Sequence, residues 1–320
     1  MSRRAQVLAA LRAAEGRSVS GEALADLLGV SRMTVSKHVS RLRERGYEIS
    51  ATPGSGYRLV SALDALDAEE VASGVGSPQV GLVVGGGVTG STNDDARRLA
   101  VGGIPEIAVA LASGQTAGRG RLGRTWESPK GGVYASFVFR PALAIASLTP
   151  LPLVVGLGAA RGLARLGVDA SLKWPNDVML GEGKLAGVLL EMTAESDLAA
   201  WVVAGIGMNV RAPGSRSQDF ASAYLDDVRE GIALNDVAVA LIDGVSDAYA
   251  TFVESGFAGL APEYQARHVL AYREVAVRDP RGRLIAQGRV AGVDELGRLL
   301  VESLAGVEAV VAGDVTLRSA

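Results

Sequence analysis

The sequence contains no cysteine and only two histidines. The first absence excludes disulfides, thiol nucleophiles and thiolate metal sites, and the second leaves little for imidazole chemistry. Any catalysis must rest on Lys, Arg, Asp, Asn and backbone groups. Also missing is a run of about 18 uncharged apolar residues, the length a membrane-spanning helix requires. Met1-Ser2-Arg3-Arg4 leads into an amphipathic helical pattern, not the apolar centre of a signal peptide. The expectation is a soluble, cytoplasmic protein with no membrane partner. At 320 residues the chain exceeds the usual reach of one hydrophobic core, which predicts two or three domains.

What is present is unevenly distributed. Net charge is -3, yet residues 1 to 60 hold ten Lys/Arg against five Asp/Glu, leaving 22 against 30 for the rest. A basic head on an acidic body suggests nucleic acid for the head, although a balance of this size is also ordinary for a surface. Residues 3 to 14 place Val7, Leu8 and Leu11 on one helical stripe, and Ser20 caps a second helix carrying Leu24, Leu27 and Leu28. Gly29-Val30 ends it tightly, and Ser31 caps a third helix reaching Gly46, in which Val35, Val39 and Leu42 face inward. Thr34, Ser36, Lys37 and Arg41 then face out. Tyr47 to Ile49 and Tyr57 to Leu59 read as a hairpin wing around Thr52-Pro53-Gly54-Ser55-Gly56. Two helices joined by so short a turn, the second with a basic outer face, form a winged helix-turn-helix with Ser31, Arg32, Thr34, Ser36, Lys37 and Arg41 as its DNA-binding residues. A three-helix packing module is the alternative. Residues 18 to 59 also resemble the DNA-binding domain of biotin operon repressors, in Ser20-Gly21-Glu22, Leu24-Ala25, Ser31-Arg32, Lys37-His38 and Gly54-Ser55-Gly56-Tyr57.

From Leu63 to Val71 a short acidic helix serves as connector, and Gly74 to Gly81 marks a boundary. Strand-like runs at Leu82 to Val84, Ile107 to Leu111, Val133 to Phe139, Val188 to Glu191 and Val202 to Ile206 alternate with helical patterns near Asn93 to Ala100, Leu151 to Leu166 and Leu234 to Val253. This predicts a mixed α/β layer. After Tyr272 short strands at Glu274 to Val277, Leu284 to Val293, Leu299 to Val301 and Val315 to Leu317 predict a small β-barrel. The domain plan is 1–62 head, 63–81 connector, 82–271 α/β body and 272–320 barrel.

Two glycine patterns invite a dinucleotide reading. Gly85-Gly86-Gly87-Val88-Thr89-Gly90 follows a strand and precedes a helix, but the run Ile107 to Leu111 ends in Ala112-Ser113-Gly114 where a ribose-binding acid is due. A flexible Gly-rich turn is the preferred reading. Gly118-Arg119-Gly120-Arg121-Leu122-Gly123 runs on into Arg124 and Trp126, with Pro129 and Gly131-Gly132 preventing a helix. It reads as a mobile cationic loop able to close over phosphates, or as a solvated basic turn.

A second polar cluster, Lys173-Trp174-Pro175-Asn176-Asp177, precedes Lys184 in Gly183-Lys184-Leu185-Ala186-Gly187, which should carry the lysine inward at a strand's start. Asn209 ends the strand Gly205-Ile206-Gly207-Met208, whose glycines would let a ligand approach the backbone. A strand-edge lysine and a turn asparagine are the plainer readings of each residue alone. Taken together, Ser91-Thr92-Asn93, Gln115-Thr116, Gly118 to Trp126, Lys173 to Asp177, Gly183 to Gly187 and Gly205 to Asn209 resemble the biotin-protein ligase family in order, spacing and residue type. With the helix-turn-helix ahead and the barrel behind, the resemblance covers essentially the whole chain and points to the ligase-repressor subclass.

That resemblance implies a central mixed α/β ligase domain and an SH3-like C-terminal barrel. It also implies a reaction in which biotin and ATP give biotinyl-5'-AMP, followed by transfer to a lysine of a biotin carboxyl carrier protein. It implies biotin contacts from Ser91, Thr92, Asn93, Gln115, Arg119, Gly120, Arg121, Trp126, Lys184, Gly187 and Gly205. ATP contacts fall to Arg119, Arg121, Arg124, Lys173, Asn176, Lys184 and Asn209, with Mg²⁺ bound through the phosphates and not by protein ligands. Lys184, Asp177, Arg119 and Arg121 would carry catalysis, Asp177 by orienting or deprotonating the acceptor lysine. Operator DNA and a ligand-linked homodimer complete the expected partners. A lipoate-type ligase and a ligand-sensing repressor without ligase activity are the alternatives. Gly90 departs from the acidic residue many relatives carry before Ser-Thr-Asn.

Overall fold

The computed structural model describes residues 2–62, 64–104, 107–195, 198–213 and 222–317. Met1, Leu63 and residues 318–320, where segment ends are expected, lie outside the described residues. Three helices open the chain, each started by a serine whose hydroxyl accepts an otherwise orphaned backbone N–H. Ser2 caps α1 (Arg3–Ala13), Ser20 caps α2 (Gly21–Leu28) and Ser31 caps α3 (Arg32–Glu44), with donors Ala5, Ala23 and Thr34 at 3.2, 3.0 and 3.2 Å. Gly29, at φ 61°, stops α2 in the left-handed conformation that permits the tight turn into α3. Val7, Leu8, Leu11, Leu24, Leu28, Val35, Val39 and Leu42 form one core. Leu27, grouped with Leu24 and Leu28 by sequence, is 66% exposed, because only i and i+4 of this short helix face α3. The antiparallel wing, β1 (Glu48–Thr52) and β2 (Gly56–Ser61), is longer than the apolar alternation predicts.

The connector helix starts later than expected. Asp67 caps α4 (Ala68–Gly74) by accepting the Glu69 N–H at 3.0 Å, while Leu66 and Val71 enter the core of the body. The body is built from β3 (Val80–Gly85), β4 (Val88–Thr89), α5 (Thr92–Val101), β5 (Ile107–Ala112), β6 (Gly114–Gln115), β7 (Val133–Phe139), α6 (Leu151–Arg165), β8 (Ser171–Lys173), β9 (Asp177–Leu180), β10 (Gly183–Glu195), β11 (Leu198–Met208), α7 (Leu234–Ser255) and α8 (Ala261–Arg267). Seven strands pair in the order β3-β5-β7-β11-β10-β9-β8, and only β3 and β5 run parallel. Small residues Ala108 and Ala110 lie under α5, while Val109 and Leu111, on the opposite face, join the large core beneath α6 and α7. The sheet is thus covered on both sides, which explains why β5 and β7 are apolar at nearly every position. Ile145–Arg165 is long and apolar enough to cross a membrane, but its helix packs between α7 and the sheet.

Gly85 and Gly86 are not a flexible turn. Both have positive φ, and a Cβ on either would collide with a carbonyl, that of Leu111 for Gly85 and that of Leu66 for Gly86. These two positions are bare because three chain segments meet there, whereas a Cβ at Gly87 or Gly90 would meet open space. The C-terminal sheet comprises β12 (Glu274–Arg278), β13 (Leu284–Val293), β14 (Leu299–Ser303), β15 (Gly306–Val310) and β16 (Asp314–Leu317), all antiparallel in the order β15-β14-β13-β12-β16. Among the described residues β15 and β16 are not paired with each other, so the expected barrel is open. Val275, Val277, Val290, Leu299 and Val315 merge with the core of the body, which fixes β16 at the edge of the cleft described next.

Candidate active site and nucleic-acid interface

A cleft of about 1460 Å³ lies over β10 and β11, roofed by the Gly118 to Trp126 loop and walled by the Lys173 to Asp177 turn and by Asp314 and Val315 of β16. At one end Ser91, Thr92 and Asn93 start α5, all nearly fully buried. The Thr92 N–H and hydroxyl donate to Gln115 Oε1 at 2.8 and 3.1 Å, and Gln115 Nε2 donates to Ser128 Oγ at 3.0 Å. Ser136 Oγ sits 2.8 Å from Thr92 Oγ1 and 2.6 Å from Asn93 Oδ1, while Asn93 Nδ2 is buried without a partner. The result is a polar wall with one donor, Asn93 Nδ2, left unpartnered and open to an acceptor in the cleft.

The cleft floor corrects one expectation. A Cβ on Gly205 would strike Asn93 Oδ1, and one on Gly207 would strike the Trp126 indole. These glycines make room for two protein side chains before they make room for a ligand. Trp126 lies across Gly187 and Gly207, its Nε1–H unpartnered. Lys184 Nζ stands 5.0 Å from the indole centroid and 2.5 Å from Asp177 Oδ1. Sheet register brings this about: Asp177 on β9 pairs with Gly187 on β10, and the β-hairpin bulge between Lys184 and Ala186 turns the lysine toward it.

The residues expected at the nucleotide divide into two kinds. Asn176 donates to the Val188 carbonyl at 2.7 Å and accepts from Arg121 at 3.1 Å, and Asn209 donates to the Lys184 carbonyl at 3.3 Å. Both asparagines therefore brace β10 and the loop as well as lining the cleft. Lys173 lines the cleft and makes no ion pair among the described residues. Trp174 turns away and donates from Nε1 to Gly297 O at 2.9 Å, and its N–H donates to Nε2 of His268 at 3.4 Å. Burial pushes the His268 imidazole down to about 4, so it stays a neutral acceptor.

Each loop arginine is anchored to a different element. Arg119 pairs with both oxygens of Asp94 at 2.8 and 3.0 Å and with Glu191 at 3.3 Å. Arg121 reaches Asn176, and burial lowers its pKa. Arg124 reaches Asp314 at 2.5 Å. Backbone bonds from Gly120 N to Arg124 O and from Trp126 N to Gly118 O close the loop on itself. It is a folded lid, with Gly120 at its crossing point. Glu182, Ser222, Tyr224 and Asp314 also line the cleft, and no sequence motif marks them. Tyr224 is brought there by the neighbouring backbone, where Leu225 N donates to Asn209 O at 3.1 Å.

In the head, the basic residues fall into two groups. Arg4 and Arg45 converge on Asp67, which is 2% exposed, at 3.5 and 2.6 Å, and Arg12 pairs with Glu70. Glu70 also accepts from the Tyr47 hydroxyl at 2.6 Å and from Asn235 of α7 at 2.8 Å, while Asn235 Oδ1 accepts the Asp67 N–H at 2.9 Å. These bonds join head, connector and body. Arg32, Ser36, Lys37 and Arg41 remain exposed on α3, whereas Ser31 serves as its cap and Thr34 is half-buried with its hydroxyl 3.0 Å from that of Ser31. Among the described residues no group of three or more acids or histidines is arranged to hold a metal ion.

Comparison with known proteins follows the three parts of the fold. The biotin/lipoate A/B protein ligase family matches residues 86–209, a helix-turn-helix domain residues 3–58, and the biotin protein ligase C-terminal domain residues 273–318. The bifunctional ligase/repressor BirA of Bacillus subtilis (strain 168) is 30% identical over 306 residues, covering 93% of this chain and 94% of that one. Its namesake in Escherichia coli (strain K12) is 32% identical over 311 residues, covering 96% and 95%. Among solved structures, the biotin protein ligase from Aquifex aeolicus in complex with biotin and ATP superposes with a TM-score of 0.62 at 27% identity, covering 76% of this chain and 100% of that one.

Proposed function

This chain belongs to the bifunctional ligase/repressor BirA family, and from that premise we propose that it activates biotin with ATP and passes the biotinyl group to a lysine of a biotin carboxyl carrier protein. The observation that carries the reading is the Lys184–Asp177 pair at 2.5 Å above Trp126, placed between the Ser91 to Gln115 wall and the Lys173, Asn176 and Asn209 end. Residues 82–271 are assigned to this chemistry, 1–62 to DNA, 63–81 to the connection and 272–320 to closing the cleft. The ureido ring of biotin is assigned to the Ser91, Thr92, Asn93 and Gln115 wall. The unpartnered Asn93 donor suits its carbonyl.

In the first step a carboxylate oxygen of biotin attacks the α-phosphorus and pyrophosphate leaves. Both reactants are anions, and a lysine cation fixed between them lowers their repulsion in a site with restricted water. Lys184 is the group so placed, and Arg121 lines the same cleft, held by Asn176. Mg²⁺ fits as an ion carried in on the ATP phosphates, which is how it is usually held, with one or two carboxylates at most from protein. In the second step the neutral amine of the acceptor lysine attacks the mixed anhydride, AMP leaves, and Asp177 takes the amine proton. Positioning and charge stabilisation suffice, so the lack of cysteine and the burial of His268 cost nothing.

Purified protein given biotin, ATP and Mg²⁺ should release pyrophosphate and label a carrier domain, with lipoate giving neither. Pyrophosphate release with lipoate would assign a lipoate-type ligase, and none with either acid would leave a ligand-sensing repressor. The exposed Arg32, Ser36, Lys37 and Arg41 on a capped α3 support operator binding, which a gel shift on the chain's own upstream DNA tests. We further assign ligand-linked homodimerisation, which pairs two heads on a palindrome. An unchanged sedimentation coefficient on adding biotin and ATP would remove it.

A further inference from the structure

Helix α3 of the head presents one exposed side chain that phosphate binding does not use. Val35, Val39 and Leu42 are its buried positions. Turned away from them, Met33, Ser36, Lys37, Ser40 and Arg41 fall at i, i+3, i+4, i+7 and i+8, which is one continuous helical face. All five are exposed, Met33 at 71%. Four of them are the short hydroxyls and long cations that suit a phosphate backbone. Met33 is the single large apolar member of the face, and it stands second in the helix, directly after Arg32.

We propose that Met33 reads thymine in the operator, laying its thioether chain against the C5-methyl group of the base in the major groove. The inference rests on the assignment of the head to DNA and deepens it by naming the chemical group that is read. Residues at the N-terminus of a recognition helix are the ones that reach base edges, and Met33 is in that position. The edges it could meet differ in what they require. Adenine and cytosine present an amino donor there and guanine two acceptors, and a thioether pressed against any of these displaces water without replacing its hydrogen bonds. Thymine alone offers an apolar group. Methionine is unbranched and freely rotating, so it can follow a methyl group whose place varies with local DNA geometry. Lys37 and Arg41, one and two turns further along the same face, are exposed and make no ion pair among the described residues. They hold the helix to phosphates whatever the sequence, and Met33 adds the preference. Leu27 is almost as exposed, at 66%, but belongs to α2, the helix that crosses the backbone instead of entering the groove.

The test is a gel shift of the full-length chain, with biotin, ATP and Mg²⁺, on its own upstream DNA amplified once with dTTP and once with dUTP. Outside the primers the second DNA lacks every thymine methyl and keeps every base-pairing group. It should bind about fourfold more weakly for each methyl contacted, a factor equivalent to ~0.8 kcal/mol, the contribution of one buried methyl-sized group. Met33→Ala should bind the thymine DNA more weakly by the same factor and no longer distinguish the two DNAs. Its salt dependence should stay as it was, because no phosphate contact is lost, and so should its thermal unfolding, because the side chain is exposed. Leu27→Ala should match the unaltered chain on both DNAs. Equal binding of the two DNAs by the unaltered chain would overturn the proposal. So would a Met33→Ala variant that weakens on both DNAs alike and still prefers thymine, since Met33 would then be a packing contact, or a preference lost in Leu27→Ala, which would move the methyl contact to α2. Absence of any shift on either DNA would remove the assignment of the head to DNA, and this inference with it, so the two failures are told apart.

Discussion

Two short segments of this chain are dense in positive charge, and the fold treats them in opposite ways. In the lid, Arg119, Arg121 and Arg124 all have partners, drawn from α5 and β10, from the Lys173 to Asp177 turn and from β16. On α3, Arg32, Lys37 and Arg41 are exposed and make no ion pair among the described residues. A cation already matched to a carboxylate fixes geometry. An unmatched, solvated one can be exchanged for a phosphate at little cost, releasing counterions from a nucleic acid as it does so. The same contrast divides the head itself, where Arg4, Arg12 and Arg45 join the connector acids and Arg43 of α3 donates to the Ile49 carbonyl, while Arg32, Lys37 and Arg41 make no ion pair among the described residues.

Lys184 is the sharpest challenge to this division, because it is paired with Asp177 and yet stands in the cleft. Lys184→Ala is expected to lower pyrophosphate formation from biotin and ATP by about 10³-fold, the scale seen when a fixed transition-state partner is removed. Thermal unfolding should shift little, since the pair is partly solvated and such pairs contribute ~1 kcal/mol or less. A variant that loses stability while keeping its rate would place Lys184 with the lid arginines as a geometric cation. Next in size is Asp67→Ala, which strands Arg4 and Arg45 and uncaps α4. Denaturant unfolding should show a loss of about 2–4 kcal/mol from a buried paired carboxylate and its cap. A change within error would mean that the head is not held by these pairs.

How far the sequence reveals such a division depends on which interactions are local. The serine caps, the stripe Val35, Val39 and Leu42 and the apolar β5 and β7 follow from spacing alone, because their partners lie within one element or one sheet face. The site motifs are also legible, since their residue types are restricted by the chemistry. What each residue touches is not. The sequence makes Arg119 a phosphate ligand, Gly205 a place for ligand to approach, and Gly85-Gly86 a flexible turn. The structure gives Asp94 to the first, Asn93 to the second, and the crossing chains at Leu66 and Leu111 to the third. All of these depend on contacts between segments far apart in the chain, as does Asp314, which enters the cleft from the C-terminal sheet with no motif around it. Strand β15 is missed for a related reason, being largely exposed and so lacking the alternation that marks a half-buried strand.

Smaller effects test the unpaired side. Lys37→Ala and Arg41→Ala should each weaken operator binding about tenfold at low salt and reduce the slope of log affinity against log salt by about 1, with no change in thermal unfolding. Loss of affinity with an unchanged slope would make these residues readers of bases instead of phosphate contacts.

The smallest effect is expected at Arg124, whose side chain is mostly exposed although it pairs with Asp314. An exposed pair contributes at most about 1 kcal/mol, so Arg124→Ala should leave DNA binding and global stability unchanged. Its partner, however, is the only cleft-lining acid from β16, so the pair is the lid's tie to the C-terminal sheet. Removing it should raise the KM for ATP about threefold, with that for biotin less affected, because Asp94 and Glu191 still hold the other end of the lid. Equal changes in both constants would show that the lid moves as one body and that its arginines, though anchored to separate elements, act together.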